Sequence, residues 1–162
     1  MAKQDRNKTN VMRDLDQKKI SYTPHSYPHG EEHVDGVTAA ALIGLPAESV
    51  FKTLVARGAS KTPYVFVIPV ASELSLKKAA KAVGEKSVTM IHVSELLGLT
   101  GYVRGGCSPV GMKKQFQTVI DDSAMMLSTM TVSAGKIGTQ VELAPDQLCN
   151  LIRGSFAPLT ND

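Results

Sequence analysis

Residues 50–70 of the chain read VFKTLVARGASKTPYVFVIPV. Two runs within this stretch, residues 50–56 and 64–70, are rich in the β-branched and aromatic side chains that favour strands. The intervening residues 57–61 contain the glycine and serine that are typical of a turn. Two strand-forming runs separated by a short turn predict a β-hairpin, and its second strand is strongly apolar.

Helix and strand patterns alternate irregularly around this hairpin. In residues 73–83 the apolar side chains Leu76, Ala79, Ala80 and Val83 recur at the spacing of one helix face. Further helices are predicted to begin near residues 9, 35, 93 and 145, and further extended segments to cover residues 20–27, 88–91, 117–121, 129–132 and 139–143. This order predicts the α+β class, with a mixed sheet flanked by helices, rather than a doubly wound sheet.

Three segments are expected to lie outside this regular structure. Residues 133–138 are predicted to form a turn between strands, and the short helix that begins at residue 93 is predicted to end at Gly98. The tail from about residue 157 is expected to be loose.

Length and composition limit the possible classes of protein. The 162 residues suit a single domain, residues 1–162, and no apolar run approaches membrane-spanning length. The polar N-terminus lacks the apolar core of a signal peptide, and Cys107 and Cys149 match no metal spacing. We therefore expect a cytoplasmic protein with free thiols.

The charge of the chain neither requires nor opposes a nucleic-acid partner. The formal net charge is only +3, and there is no tryptophan to contribute to a stacking surface. If RNA binds, we expect one end or one edge of it to be recognised closely.

Lys52 lies within the first strand of the hairpin. Alternation places Val50 and Leu54 on its face and Phe51 and Thr53 on the other. Both faces are expected to be buried, and a buried ammonium is costly unless it is paired or borders a polar cavity. Lys52 is therefore a candidate functional residue; the alternative is a strand-edge lysine that extends to solvent.

The segment GGCSPVG at residues 105–111 is the second candidate. Consecutive glycines, Gly105 and Gly106, allow backbone N–H groups to approach an anion closely. Such groups can stabilise the oxyanion of a tetrahedral intermediate. The alternative is an ordinary connecting loop.

Ser133 and Cys107 carry nucleophilic atoms but lack the usual partners. Ser133 has no adjacent base and no GxSxG elbow, so it either orients a substrate or satisfies the backbone of its turn. No base is indicated beside Cys107, which favours a small buried side chain over a nucleophile.

No metal and no cofactor are expected. His25, His29 and His33 recur every four residues, which on a helix would form a metal-binding face. Pro24 and Pro28 make a helix implausible there.

Five segments, in this order along nearly the whole chain, resemble the YbaK/EbsC family, which is related to the editing domain inserted in bacterial prolyl-tRNA synthetases. These segments are HSYPH at 25–29, VFKTL at 50–54, LKKAAKAVG at 76–84, GYVRGGCSPVG at 101–111 and VSAGK at 132–136. Each segment is weak evidence alone. The five segments together, in the same order as in the family, favour the functional interpretations of Lys52, the glycine loop and Ser133.

The resemblance implies a curved, partly barrel-like sheet and the hydrolysis of the ester that joins a wrong amino acid to tRNA. YbaK-type members look like Cys-tRNA(Pro) deacylases, some of which also act on Cys-tRNA(Cys). The resemblance assigns catalytic roles to Lys52, Gly105 and Ser133. It assigns substrate binding to Tyr27, Thr53, Gly106, Cys107, Ser108 and Pro109.

The same resemblance implies the partners and a mechanism. The partner is the 3′ end of an aminoacyl-tRNA, with prolyl-tRNA synthetase as a further expected partner and neither a membrane nor DNA. We expect the thiol of the substrate to attack its own carbonyl while the Gly105 and Gly106 amides hold the oxyanion and Lys52 holds the terminal adenosine or phosphate.

Two alternative functions stay open. Other branches of the family remove alanine from tRNA(Pro), for which an ordered water would attack, and a non-catalytic module would only bind a tRNA or a synthetase. Two departures from the family pattern bear on the substrate: Gln140 stands near where YbaK-type sequences often carry an acidic residue, and Cys107 is an unusual occupant of the glycine loop.

Overall fold

The structure of the chain, a computed structural model, describes residues 8–28 and 34–161 as eight strands and five α-helices. The helices are α1 (Asn10–Gln17), α2 (Gly36–Ile43), α3 (Leu76–Val83), α4 (Val93–Thr100) and α5 (Pro145–Leu151). The strands are β1 (Thr23–Ser26), β2 (Phe51–Gly58), β3 (Pro63–Pro69), β4 (Val88–Met90), β5 (Thr118–Asp121), β6 (Met130–Lys136), β7 (Thr139–Leu143) and β8 (Ser155–Ala157).

The predicted hairpin, β2 and β3, lies within a five-stranded sheet of order β4-β2-β3-β5-β8. β2 and β3 pair antiparallel from Phe51 opposite Pro69 to Arg57 opposite Pro63. β5 pairs parallel with β3, and β8 parallel with β5, whereas β4 runs antiparallel to β2. The prediction of a mixed sheet in the α+β class is therefore confirmed.

A second sheet, of order β1-β7-β6, is antiparallel throughout. It meets the first sheet at a parallel bridge between Val50 and Thr131. Among the described residues, the strands thus form two sheets that touch at the start of β2, and not one closed barrel.

Side-chain alternation along the hairpin divides the core in two. One face of β2 and β3 packs with α1, the second sheet and α5, through Phe51, Val55, Val65 and Val67. The other face packs on α3, through Ala56, Phe66 and Ile68. Because each strand of the hairpin carries apolar residues on both faces, the hairpin can be covered on both sides.

Local signals in the sequence set most helix ends. The Thr9, Asp35 and Ser75 side chains accept hydrogen bonds from backbone N–H groups in the first turns of α1, α2 and α3. Gly44 and Gly84 end α2 and α3 in the left-handed conformation, at φ of 76° and 73°.

The predicted end of α4 at Gly98 is wrong. The helix continues to Thr100, whose hydroxyl donates to the Leu96 carbonyl at 2.8 Å, and it ends at Gly101 with φ 85°. Both Gly98 and Gly101 could end the helix, but only Gly101 adopts the left-handed conformation that terminates it.

The predicted turn at residues 133–138 is shorter than expected. Residues 133–136 belong to β6, with a register shift between Ser133 and Lys136. A β-bulge of this kind places extra residues in one strand without ending it, and the alternation pattern conceals it in the sequence.

The loose tail predicted from about residue 157 is also wrong. β8 pairs with β5, Leu159 is fully buried, and its N–H donates to Asp121 Oδ1 at 2.9 Å. A strand of three residues followed by a proline is too short to be recognised by pattern, so its place in the sheet depends on tertiary contacts.

Within residues 8–28 and 34–161, no helix combines the length and apolar character needed to span a bilayer.

We predict that Leu159→Ala lowers the free energy of unfolding by about 2–5 kcal/mol, because it leaves a cavity in the fully buried cluster beneath α3. Urea denaturation measures the change. The control is Met126→Ala, at a side chain that is 86% exposed, which should shift the free energy by about 0.5 kcal/mol or less. Equal, small changes in both variants would show that the C-terminal segment is loose.

Candidate active site

A cleft of about 740 Å³ lies along the outer edge of β2. On this edge, among the described residues, β4 pairs only with residues 56–58, and the second sheet forms a β-bridge only at Val50. The next contact along the edge is a hydrogen bond from Ile91 N–H to the Val55 carbonyl, at 3.3 Å. Between these contacts no strand of the described residues pairs with this edge, which borders the cleft.

The backbone of Thr53 faces this open edge. The Val50 carbonyl accepts a hydrogen bond from the Val70 N–H, and the Gly58 N–H donates to the Thr62 carbonyl. The even-numbered residues along β2 therefore direct their peptide groups towards β3. Peptide groups alternate in direction along an antiparallel strand, and Val55 accordingly bonds on the opposite side. The Thr53 N–H and C=O therefore point towards the cleft.

The cleft brings together six of the nine predicted site residues. Its lining includes Tyr27, Lys52, Thr53, Gly105, Cys107 and Ser133. The other three, Gly106, Ser108 and Pro109, are buried behind the loop and do not line it. Segments that are distant in sequence thus converge on one edge of the hairpin.

Lys52 is half-buried in the wall of the cleft. It takes part in none of the ion pairs found among residues 8–28 and 34–161, which join Lys8 to Asp16, His25 to Glu142 and Arg57 to Glu95. Lys52 thus borders a cavity and has no carboxylate partner within residues 8–28 and 34–161, which is the arrangement expected of a lysine that meets a ligand.

The two glycines of the loop have different roles. Gly105 is exposed, lines the cleft and has φ 86°, a conformation that favours glycine. The Gly106 N–H already donates to the Val103 carbonyl at 3.0 Å, so it is not free to bind an oxyanion as predicted. A Cβ at Gly106 would lie 3.0 Å from the Ile137 nitrogen, so this glycine allows the loop to pack against the turn between β6 and β7.

Ser108 and Pro109 support the loop from behind. Ser108 is fully buried, and its Oγ accepts a hydrogen bond from the Val110 N–H at 3.2 Å. These contacts fix the course of the loop next to Gly105 and give Ser108 a structural role, and its predicted contact with substrate stays a prediction.

The Cys107 thiol is buried and has a raised pKa. Its side chain is 7% exposed, and burial raises the pKa of the thiol to about 11. The expectation of a small buried side chain is confirmed, and a protonated thiol at neutral pH agrees with the prediction that Cys107 is not a nucleophile.

The Ser133 hydroxyl accepts a hydrogen bond from the backbone, and Ser133 also lines the cleft. It lies on β6 directly opposite Gln140 of β7, and its Oγ accepts a hydrogen bond from the Gly135 N–H at 3.2 Å. Because the hydroxyl accepts this bond, its own proton can still be donated to a ligand. The two interpretations of Ser133 are thus compatible.

Tyr27 closes one side of the cleft. Its side chain is 5% exposed, and its N–H donates to the Gly138 carbonyl at 3.0 Å. The backbone just after β1 is thereby attached to the turn that follows β6, so Tyr27 and Ser133 enter the cleft from the same sheet.

Two lining residues carry buried oxygen atoms that lack a hydrogen-bond partner among the described residues. They are Thr53 Oγ1 and Gln140 Oε1. A buried polar atom without a partner costs about 1–3 kcal/mol, so its presence in a native structure requires an explanation. Both atoms belong to residues that border the cleft, where unmet hydrogen-bonding capacity can serve recognition.

Three lining residues with charged or amide side chains were not predicted as site residues: Gln140, Arg104 and Asp35. Gln140 was noted only as a departure from the family pattern, and its position opposite Ser133 depends on strand register. Asp35 was predicted only as a helix cap, and it does accept from Thr38 N–H at 2.8 Å. Arg104 stands beside Gly105, which was the signal available for it in the sequence.

Of the three regularly spaced histidines, the structure describes His25. His25 Nε2 lies 2.8 Å from Glu142 Oε1, and the Thr129 hydroxyl and then His25 lower the pKa of Glu142. His29 and His33 lie outside the described residues. Within residues 8–28 and 34–161, no group of three potential metal ligands is found.

The chain is similar to known proteins over most of its length. A family model described as "Aminoacyl-tRNA editing domain" matches residues 31–151. A protein of Enterococcus faecalis (strain ATCC 700802 / V583), named "Putative Cys-tRNA(Pro)/Cys-tRNA(Cys) deacylase EbsC", is 46% identical over 158 residues, which cover 98% of this chain and 96% of that protein.

Two solved structures share the fold. One, described as "a putative trans-editing enzyme for prolyl tRNA synthetase", is 22% identical with a TM-score of 0.80 and covers 94% of this chain and 95% of its own. Another, of a hypothetical protein, is 21% identical with a TM-score of 0.83 and covers 94% of this chain and 100% of its own. At these identities the likeness supports the fold alone.

We predict that Cys107 resists alkylation by iodoacetamide in the native protein, because the thiol is buried and its pKa is raised to about 11 from 9.0. The rate of alkylation, measured by mass spectrometry, should rise only as the pH approaches 11. In urea the same cysteine should react as an ordinary thiol. Rapid native alkylation at pH 8 would contradict the assignment of Cys107 as an inert side chain.

Proposed function

The chain belongs to the aminoacyl-tRNA editing domain family, and we propose that it deacylates mischarged tRNA, with Cys-tRNA(Pro) as the main substrate and Cys-tRNA(Cys) as a second. The observation that carries the proposal is the 46% identity, over nearly the whole length of both chains, to a relative named for these two activities. The resemblance predicted from the five sequence segments is confirmed.

The cleft suits the end of a charged tRNA. Its volume of about 740 Å³ lies within the range of small-ligand sites. Its lining combines apolar side chains with a few polar groups, among them Lys52, Ser133 and Gln140. A cysteinyl ester of the terminal adenosine presents matching features: a small side chain, an ester carbonyl and ribose hydroxyls.

We assign to Lys52 the role of holding and orienting the ester. Its position half-buried in the wall, without a carboxylate partner among the described residues, leaves its three N–H donors available to substrate oxygens. Orientation of a reactive ester can by itself account for a large rate acceleration.

The nucleophile is assigned to the substrate. The cysteinyl thiol attacks its own carbonyl carbon, so that an S–C bond forms, the C–O bond to the ribose breaks, and the thiol proton passes to the leaving ribose oxygen. The products are a cyclic thiolactone and free tRNA. An aminoacyl ester is already activated, which agrees with a cleft whose own thiol, Cys107, is protonated at neutral pH.

Stabilisation of the oxyanion is assigned to Gly105 and Ser133. Gly105 lines the cleft at a positive φ, and the Ser133 hydroxyl retains a proton to donate. Gly106 is left out of this role because its N–H is bonded to Val103. The oxyanion site therefore combines one backbone donor and one side-chain donor.

Gln140 and Cys107, the two departures from the family pattern, affect the site differently. Gln140 presents a neutral amide to the cleft, so it recognises substrate by hydrogen bonding and not by charge. Cys107 is buried, so its effect is on the packing of the loop.

Recognition of the tRNA body is assigned to a partner. A net charge of +3 provides weak attraction for a polyanion of that size. We propose prolyl-tRNA synthetase as this partner, in the cytoplasm where tRNA is charged, because one named substrate of the relative is tRNA(Pro).

We predict that Lys52→Ala lowers kcat/KM for Cys-tRNA(Pro) by about 100-fold or more, the loss typical of removing a single donor at a reacting oxygen. Release of labelled cysteine from the tRNA measures the rate. The control is Lys86→Ala, at an exposed lysine outside the cleft, which should leave the rate unchanged.

The same assay separates an enzyme from a non-catalytic binding module. Retained tRNA binding with lost cleavage in Lys52→Ala supports the enzyme. A wild-type protein that binds tRNA but cleaves no charged tRNA would instead support the module.

We predict that Cys-tRNA(Pro) is cleaved at least tenfold faster than Ser-tRNA(Pro) and Ala-tRNA(Pro), because a hydroxyl is a weaker nucleophile than a thiol and a methyl group is none. Mass spectrometry should detect the thiolactone before it hydrolyses. Equal rates for cysteine and serine would contradict attack by the thiol. Preference for alanine would indicate the alternative in which an ordered water attacks.

A further inference from the structure

We propose that the Arg104 guanidinium binds the phosphate on the 5′ side of the terminal adenosine of the tRNA, at the mouth of the cleft. This inference deepens the proposed function and rests on it. It adds a substrate-binding residue whose ligand is a nucleotide phosphodiester.

The residues that line the cleft differ in depth. A buried set forms its floor, and an exposed set forms its mouth. The floor includes Ala39, Phe51, Val55, Cys107 and Gln140, which are at most 8% exposed. The mouth includes Val37, Met90, Val93, Arg104 and Gly105, which are all exposed.

Arg104 is a cation at this mouth without a carboxylate partner in the part of the chain that the structure describes. The ion pairs found there involve other residues. The carboxylate in the lining, Asp35, accepts a hydrogen bond from Thr38 N–H at the start of α2. A guanidinium at the entrance to a cleft is therefore available for an anion that arrives with the substrate.

The chemistry of the substrate places an anion there. The ester, the ribose and the adenine carry no negative charge, and the first negative group along the RNA is the phosphodiester that joins the terminal adenosine to its neighbour. If the aminoacyl group enters the buried floor, this phosphate stays at the mouth. Arginine binds phosphate through two parallel N–H donors, which fixes position as well as charge.

The apolar part of the mouth suits the base of the same nucleotide. Val37, Met90 and Val93 are 49%, 43% and 59% exposed, and they come from three different elements around the opening. Apolar surface beside a cation matches the flat face of adenine beside its phosphate. A cation alone would accept any anion, whereas the two features together indicate a nucleotide.

Arg104 also precedes Gly105 directly, so a phosphate held by Arg104 would fix the loop that carries the proposed oxyanion donor. We therefore place Arg104 in substrate binding, with Lys52 deeper in the cleft and closer to the ester.

The test compares Arg104→Gln with the wild type on two substrates: Cys-tRNA(Pro) and 3′-O-cysteinyl-adenosine, which lacks the phosphate. We expect kcat/KM to fall about 10-fold on the tRNA, mainly through KM, and to stay unchanged on the nucleoside ester. The dependence of log kcat/KM on log salt should become shallower by about 0.7 for the tRNA, the value for one phosphate contact on a single strand.

Two further variants serve as controls. Arg153→Gln removes the same charge from an exposed arginine outside the cleft, and it should leave both substrates unaffected. Arg104→Lys keeps the charge but not the paired donors, so it should retain the salt dependence and recover part of the lost rate. Thermal unfolding midpoints equal to that of the wild type show that the variants fold.

The inference is overturned if Arg104→Gln slows both substrates equally, which would place Arg104 at the ester, or if it slows neither. If the wild type cleaves neither ester, the proposed deacylase function fails instead. Binding of an uncharged RNA hairpin with a CCA end then decides the role of Arg104, because Arg104→Gln should weaken that binding about 10-fold and Arg153→Gln should not.

Discussion

The site depends on an incomplete strand pairing at the edge of β2. Along its inner side β2 is bonded to β3 over its whole length. Along its outer side, among the described residues, the second sheet forms a β-bridge only at Val50, just before β2, and β4 pairs only from Ala56 onward. An unpaired strand edge normally invites association with another chain. Here the second sheet, α2, α4 and the glycine loop surround the gap, so that the open edge becomes the wall of a cleft.

The cleft beside this edge is bordered by several unfavourable groups. Lys52 places a cation in a largely apolar hairpin, and Thr53 and Gln140 each bury an oxygen without a partner among the described residues. These three residues line the cleft, whereas the unpartnered oxygens of Ser123 and Thr131 lie outside it. Where such a group borders a cavity, a substrate can supply the missing partner.

The proposed division of chemistry follows from the same arrangement. The protein offers cations, one exposed glycine amide and a serine hydroxyl, whereas its buried thiol is kept protonated. This set can hold and polarise an ester. A substrate that carries its own thiol requires no more than that, so selectivity for cysteine would follow from the reaction itself and not from a tight pocket.

Local periodicity, capping residues and short motifs are sufficient to predict the hairpin, most helix ends, the α+β class, the family, and the position of Lys52 in an apolar strand. The remaining features depend on tertiary structure. Contacts between segments distant in sequence determine the pairing of β8 and the bulge after Ser133. They also determine the different roles of Gly105 and Gly106 and the positions of Gln140 and Arg104 in the lining of the cleft. Such contacts leave no periodic trace in the chain, since strand register and loop packing are set by the partner segment and not by the segment itself.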